Sequence, residues 1–537
     1  DYWPAQGELA FESTISQSLL LEGANDIKVE CPLTGGVTLD VLFINWLEIE
    51  YTKNNAAGLP QTQFEVDSAG DWNPIVPGFG DANTQTWDIS DPLHPLHLIN
   101  TVSQPEGATY TLSFHQITTS ERRYLALSPL LIPSADSITL VTPVPLRTTA
   151  LDFDYLIITH PNFEGAIQPL ADYHSARGLR VKVINVQDIY DNFSGGVFDP
   201  LAIRDFVSYA YSHSLTRIPA YVLLVGDGNY DFKNLMGRNE PNYVPPYLSM
   251  ADPWIGEVGA DNRYVTMDGE NDLLPDLALG RLPVKTVEET TAVVNKIISY
   301  AADSQSGNWG RSFLLVADET DPAAGDFPVL SDQLAADLLT PRGLDVAKIY
   351  YKVTQPNTSA TRQAIENSIN AGRGIVIYTG HSSPTQWSLD NFFDKNSLAN
   401  LNNPTHLPFL LSLTCYTGMY VSPSSLTTDN SALDEFLIRA PGKAVVATFS
   451  PTGKGLTEGH DILARGLLDS LFNHTTLIGP ATTAAKVFLY GATAENHELI
   501  DTFVLFGDPA MRYPIAPTGA NLNYFRAYKV PDGVQLT

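Results

Sequence analysis

The chain has 537 residues, 44% of them hydrophobic and only 17% charged, which supplies several hydrophobic cores and excludes a chain disordered throughout. Gly 38 and Pro 37 are ordinary counts, so collagen-like and low-complexity classes are out. Thirty-one Lys+Arg against 60 Asp+Glu give a net charge of −29, which repels phosphate backbones and argues against nucleic acid as a partner.

No apolar run approaches the ~18–20 residues of a membrane span. A start at Asp1 rather than Met reads as a processed or trimmed N-terminus, which hides any targeting segment. Two cysteines, Cys31 and Cys415, exclude a disulfide scaffold and a four-cysteine zinc site. Few cysteines, many Tyr, Asn and Thr, and the acidity suit a secreted bacterial protein.

Residues 1–147 read as all-β, a sandwich or jelly roll. Alternating runs such as GVTLDVLFINWLEIEY (36–51) and ATYTLSFHQI are separated by Gly, Pro, Asn and Asp clusters. From Leu151 the period changes. Strands are expected at 154–159, 179–186, 220–227, 276–281, 312–318, 344–351, 374–380, 407–415 and 443–450. Helices are expected at 162–178, 200–214, about 285–303, 327–340, 359–371, 431–439, 456–473 and 480–491. This alternation predicts an α/β, doubly wound, mostly parallel sheet over 148–515, divisible into halves at about 148–305 and 306–515. Residues 516–537 read as a linker or the start of a further β module.

In an open α/β sheet, ligands bind beyond the carboxyl ends of the strands. Two residues there carry chemistry. His381 follows the 374–380 strand, and Cys415 ends the 407–415 strand. If those strands are neighbours, the pair forms a covalent catalyst: the imidazole activates the thiol, the thiolate attacks a carbonyl, and the histidine protonates the leaving amine. Each alone has an ordinary structural reading, a buried small hydrophobe or an incidental histidine.

The flanking residues decide between these readings. His381 sits in YTGHSSPTQWS and Cys415 in LSLTCYTGMY, 34 residues apart. These segments resemble the gingipain-like cysteine peptidases, family C25 of the caspase-like clan. His381, Ser383, Thr385 and Trp387 match that family's His-Gly-Ser-x-Thr-x-Trp run. Cys415, Gly418 and Tyr420 match its Cys-x-x-Gly-x-aromatic run. PDLALGRLPVKTVEE (275–289) and FVLFGDPAMRY (503–513) are similar to two further family segments, and FINWLEIEY (43–51) to the β domain that often precedes the catalytic one.

The resemblance implies a caspase-like α/β fold and a cysteine endopeptidase. Cys415 would be the nucleophile and His381 the general acid/base. The backbone N–H groups of Ser382 and Cys415 would form the oxyanion hole, and Asp276 would orient the histidine. Ser382 stands where the clan has glycine; serine keeps the N–H but would be strained if the turn needed positive φ. Trp387 and Tyr416 are candidates for the substrate pocket, although packing is the commoner fate of tryptophan.

Acidic loops after the first-half strands carry oxygen ligands, and relatives bind calcium, so Asp227 and Asp261 are candidate structural calcium ligands; the chemistry itself requires no cofactor. PTGKG (451–455) lacks the leading glycine of a phosphate loop, and no G-x-S-x-G or H-E-x-x-H segment occurs. Protein or peptide substrates are implied, with the oligomeric state open. A sortase-like transpeptidase and an inactive surface or assembly protein of the same fold stand as alternatives.

Overall fold

The computed structural model describes residues 10–21, 24–30, 44, 46–51, 61–132, 134, 138, 140–142, 144–147, 151–214, 219–269, 271–303, 309–425, 427–515, 527–530 and 533–536. The chain divides into two compact units, one over 8–141 and one from Thr142 onward.

The first unit is all-β. A four-stranded antiparallel sheet runs in the order Gln61–Val66, Arg122–Leu127, Gln85–Asp88, Leu96–Leu98. A three-stranded sheet orders Ile75–Phe79, Thr109–Ser113 and Val102–Glu106. Alternate side chains turn inward into two small cores, Val66–Phe114–Tyr124 and Val76–Phe79–Leu112–Ala126. Of the strand expected over 36–51, residues 36–43 and 45 lie outside the described residues, as does Cys31. Residues 44 and 46–51 form no strand, and Ile44, Trp46 and Leu47 are exposed. Alternation supplies a face, but a strand also needs a hydrogen-bonded neighbour.

The second unit is built on a sheet of ten strands: β1 Tyr155–Thr159, β2 Val181–Asn185, β3 Tyr221–Val225, β4 Ala278–Leu282, β5 Ser312–Ala317, β6 Asp345–Tyr350, β7 Ile375–Thr379, β8 Phe409–Leu413, β9 Ala447–Pro451 and β10 Phe503–Phe506. Their order is β2-β1-β3-β4-β10-β9-β8-β7-β5-β6. Nearly every neighbour is parallel. The exception is β9/β10, which is antiparallel and joins the two halves along a seam. β10 comes last of the ten in chain order yet is parallel to β4, so it completes the first half. The strands read as unbroken apolar runs because both faces are covered. In β1, Tyr155 and Ile157 enter one core while Leu156 and Ile158 enter another; in β5, Phe313, Leu315 and Ala317 oppose Leu314 and Val316 in the same way.

Two local features depart from expectation. The strand expected to run to 186 stops at Asn185, whose side chain accepts the Gln187 N–H at 2.8 Å and caps a helix over Val186–Phe193. The helix expected over 327–340 is α-helical over Phe327–Leu334 and then widens into a π turn at Ala335–Leu339. Residues 516–526 lie outside the described residues, and Ala527–Val530 pairs with Gly533–Leu536 as an antiparallel hairpin.

The seam explains the Leu-Gly-Arg and Gly-Asp-Pro segments. A Cβ on Gly280 would sit 2.2 Å from the Gly507 carbonyl oxygen, so β4 and the turn after β10 close only around glycine. Arg281, 1% exposed, spends all five donors: on both Asp261 oxygens (2.6 and 3.0 Å) and on the Gly226, Val244 and Pro245 carbonyls. The Tyr420 hydroxyl donates to the same Asp261 at 2.6 Å, and its ring lies 4.7 Å from the guanidinium. Beyond the turn, buried Asp508 accepts from the Tyr155 hydroxyl at 2.8 Å and pairs with His174 Nε2 at 2.7 Å.

Candidate active site

β7 and β8 are parallel neighbours, in register from Ile375↔Phe409 to Thr379↔Leu413. Gly380 N–H donates to the Leu413 carbonyl at 3.4 Å and the Thr414 hydroxyl to the Gly380 carbonyl at 2.6 Å, which carries the pairing past both strands. The next residues at that offset are His381 and Cys415. The 34-residue spacing is thus the strand register itself, and the two residues lie just past the carboxyl ends of adjacent strands.

A small three-stranded hairpin after β7, Ser382–Ser383, Gln386–Trp387 and Phe393–Asp394, fixes the histidine. Ser388 N–H donates to the His381 carbonyl at 2.7 Å, and the Tyr378 hydroxyl donates to the same oxygen. Trp387 is 1% exposed, stacked on Tyr378 at 4.5 Å and on Phe393 at 4.6 Å. It is a floor beneath the hairpin rather than a wall of the substrate pocket, which corrects the pocket expectation: a ring sandwiched between two others has no face left for substrate.

His381 Nε2 pairs with Asp321 Oδ2 at 2.8 Å, and the Phe327 ring meets the imidazole edge-on at 5.3 Å. Asp321 lies in the turn after β5, the strand beside β7. Its other oxygen accepts the Ala323 N–H at 2.8 Å; that bond, and then the one to His381, hold its carboxyl below the usual range. With Nε2 committed to Asp321, Nδ1 is the nitrogen left for the thiol. Asp318, 3% exposed, accepts from the His381 N–H and, at 3.0 Å, from the Ser388 hydroxyl.

Asp276 is not the orienting carboxylate. It is exposed at the start of β4, accepts the Met267 N–H at 2.8 Å and donates its own N–H to the Val265 carbonyl at 2.9 Å. β10, β9 and β8 intervene between β4 and β7, so four strand spacings, about 19 Å, separate it from His381. The signal for Asp321 was available in ADETDPAAGD, the acidic turn after the strand that pairs with β7.

The Cys415 thiol is half-buried. Burial pushes its pKa up; the Gly455 N–H and the Lys454 charge pull it back, and Asp252 opposes them. Gly455 and Lys454 belong to PTGKG (451–455), which starts on the last residue of β9, whereas Asp252 ends the separate strand Leu248–Asp252. Tyr416 N–H donates to the Gly453 carbonyl at 3.0 Å, Gly418 N–H to the Pro451 carbonyl at 2.9 Å, and Lys454 N–H to Asp252 at 2.5 Å. The segment that fails as a phosphate loop cradles the thiol instead, a role that spacing alone did not reveal. Tyr416 has φ +60, a left-handed non-glycine residue directly after the nucleophile candidate, and its half-buried phenol adjoins the thiol and Asp252.

Ser382 lies in the extended hairpin, outside the left-handed region, so the strain feared for a serine there does not arise. It faces Trp387 as a non-hydrogen-bonded pair, which leaves its N–H out of the hairpin ladder. Its hydroxyl donates to the Cys415 carbonyl, accepts the Cys415 N–H at 3.2 Å and meets the Thr414 hydroxyl at 2.7 Å. One of the two expected oxyanion donors is therefore occupied by a side chain.

The calcium candidates do not fit a cation. Both Asp261 oxygens are bound to Arg281, and Asp227 pairs with Lys285 at 3.4 Å. Among the described residues no three His, Cys, Asp or Glu side chains cluster to hold a metal. No helix among them is long and apolar enough to cross a membrane.

The family model described as Peptidase family C25 matches residues 148–514. The chain belongs to peptidase family C25. Gingipain R2 of Porphyromonas gingivalis is 24% identical over 376 residues, covering 66% of this chain and 45% of that protein. Gingipain R1 of the same organism is 24% identical over 376 residues and is covered to 34%. The chain thus spans less than half the length of these two curated relatives. The crystal structure of the Arg-specific cysteine proteinase gingipain R matches with a TM-score of 0.54 at 24% identity, covering 70% of this chain and 80% of that one. The complex of gingipain pro- and mature domains matches with a TM-score of 0.54 at 22% identity, covering 67% and 79%. The C25 α/β fold inferred from the motifs is the fold found.

Proposed function

We propose that this C25 chain is a cysteine endopeptidase acting on protein or peptide substrates. The reading rests above all on the β7/β8 register, which sets His381 beside Cys415 while Asp321 holds the far side of the imidazole. Cys415 is the nucleophile. His381 Nδ1 takes the thiol proton as sulfur adds to the scissile carbonyl, then returns it to the departing amine, leaving a thioester on Cys415. Water, deprotonated by the same nitrogen, hydrolyses the thioester and restores the thiol. Asp321 fixes the tautomer and stabilises the imidazolium. The Ser382 N–H offers one oxyanion donor and the Cys415 N–H, once free, a second. Tyr416 and Lys454 border the approach to the sulfur. An acidic chain poor in cysteine suits a secreted or cell-surface protein.

The test is labelling with a panel of peptidyl acyloxymethyl ketones varied at P1, followed by mass mapping. The expected result is modification of Cys415 by one P1 class, lost in His381→Ala. Uniform slow labelling independent of His381 would overturn the assignment.

A further inference from the structure

We propose that the Ser382 hydroxyl is a brake on the oxyanion site: at rest it occupies the Cys415 N–H, and acylation requires it to swing away. This rests on the peptidase reading above. When sulfur adds to a carbonyl, the carbonyl oxygen becomes an anion that needs preorganised N–H donors. The N–H of the nucleophile's own residue is joined to the sulfur through only three covalent bonds, N–Cα, Cα–Cβ and Cβ–Sγ, so it is the donor held closest to the reacting atom. Here it points at a hydroxyl 3.2 Å away.

That hydroxyl is held on several sides. It gives its proton to the Cys415 carbonyl, so it clasps both backbone groups of one residue. The Thr414 hydroxyl lies 2.6 Å from the Gly380 carbonyl and 2.7 Å from the Ser382 oxygen and shares its single proton between the two, which packs it against the Ser382 hydroxyl. Glycine at position 382 would leave the N–H open; serine supplies a neutral acceptor where an anionic one must come. The contact is nevertheless releasable. Ser382 is half-buried, one χ1 rotation frees the N–H, and an oxyanion is a stronger acceptor than a hydroxyl. Substrates held firmly enough to drive that exchange react; loosely held ones meet a closed donor.

Ser382→Gly, Ser382→Ala and Thr414→Val separate this role from a structural one. A peptide aldehyde adds the Cys415 sulfur to its carbonyl carbon, the thiol proton passing to the oxygen, and so uses the oxyanion donors. Iodoacetamide forms a sulfur–carbon bond as iodide leaves and uses none. Both Ser382 variants should bind the aldehyde about tenfold more tightly, the worth of one restored hydrogen bond, with Thr414→Val between them and wild type. Alkylation of Cys415 by iodoacetamide should stay within about twofold. Unchanged or weaker aldehyde binding in both Ser382 variants overturns the brake. Amide hydrogen exchange at Cys415 in the ligand-free protein needs no substrate: it should quicken in Ser382→Gly and Ser382→Ala, and unchanged exchange in both refutes the proposal even where no peptide is cleaved. Absence of His381-dependent labelling with quickened exchange would instead sink only the peptidase reading.

Discussion

Gly380 is the hinge on which the histidine hangs, and replacing it with alanine gives the sharpest test of the site. A Cβ there would lie 2.4 Å from Asp318 Cβ and 2.7 Å from the Tyr378 hydroxyl oxygen. Optimal carbon contacts are about 3.5–4.0 Å, so roughly 1 Å must be taken up somewhere. Neither neighbour can retreat: Tyr378 is fully buried under Trp387, and Asp318 anchors the His381 N–H and the Ser388 hydroxyl. The strain falls on the His381 backbone. Overpacking of this kind costs about 1–3 kcal/mol of stability, and a 1 Å misplacement of a reacting group costs about 10²-fold in rate. Gly380→Ala should therefore melt a few degrees lower yet label Cys415 about a hundredfold more slowly with the preferred acyloxymethyl ketone. Gly165→Ala is the control. That glycine lies in the helix Glu164–Ser175 with open space at its Cβ position, so alanine should stabilise by about 0.5–1 kcal/mol and leave labelling alone. A Gly380→Ala protein that keeps a third or more of the wild-type rate would refute the steric account.

Asp321→Ala should slow peptide hydrolysis about tenfold or more, while Asp276→Ala stays within about twofold; the reverse pattern would restore the expectation drawn from the sequence. Lys454→Met removes the cation beside the thiol, so the midpoint of the iodoacetamide rate–pH profile at Cys415 should move to higher pH; an unmoved midpoint would deny Lys454 that influence. Buried Asp434 bonds the Ser412 and Thr417 hydroxyls at 3.2 Å, and burial pushes its pKa up to about 7. The folded state then holds a proton that the unfolded chain releases near pH 4, so this group's stabilisation is full below pH 4 and is lost as pH rises to 7, at up to about 1.4 kcal/mol per unit. Asp434→Asn should flatten that part of the urea-midpoint profile between pH 4 and 7, and an identical slope in both proteins would contradict it.

Much of this was legible in the letters. Apolar runs mark the buried strands because both faces are covered, and the 34-residue offset of His381 and Cys415 encodes the β7/β8 register. Other features depend on contacts that no local pattern carries. Asp276 and Asp321 both sit in acidic turns beside strands; only the sheet order distinguishes a neighbour of β7 from a strand four positions away. Trp387 matches a motif, but its stacking on Tyr378 and Phe393 is tertiary. PTGKG gave no sign that its backbone faces a sulfur, and the Ser382 substitution pointed to φ when the consequence lay in the hydroxyl. The Asn185 cap of Val186–Phe193 is a local signal that sits at the end of an apolar run and is masked by it.

The late position of β10 has a consequence for biogenesis. The first-half sheet lacks its inner edge until residues 503–506 emerge from the ribosome, by which time every other strand of the sheet has been made. Until then β4 has no partner on that flank, and Tyr155 and His174 wait for the carboxylate of Asp508. A nascent chain therefore cannot finish its first half before the strands of its second half have been made, and the two halves close along the β9/β10 seam only after that.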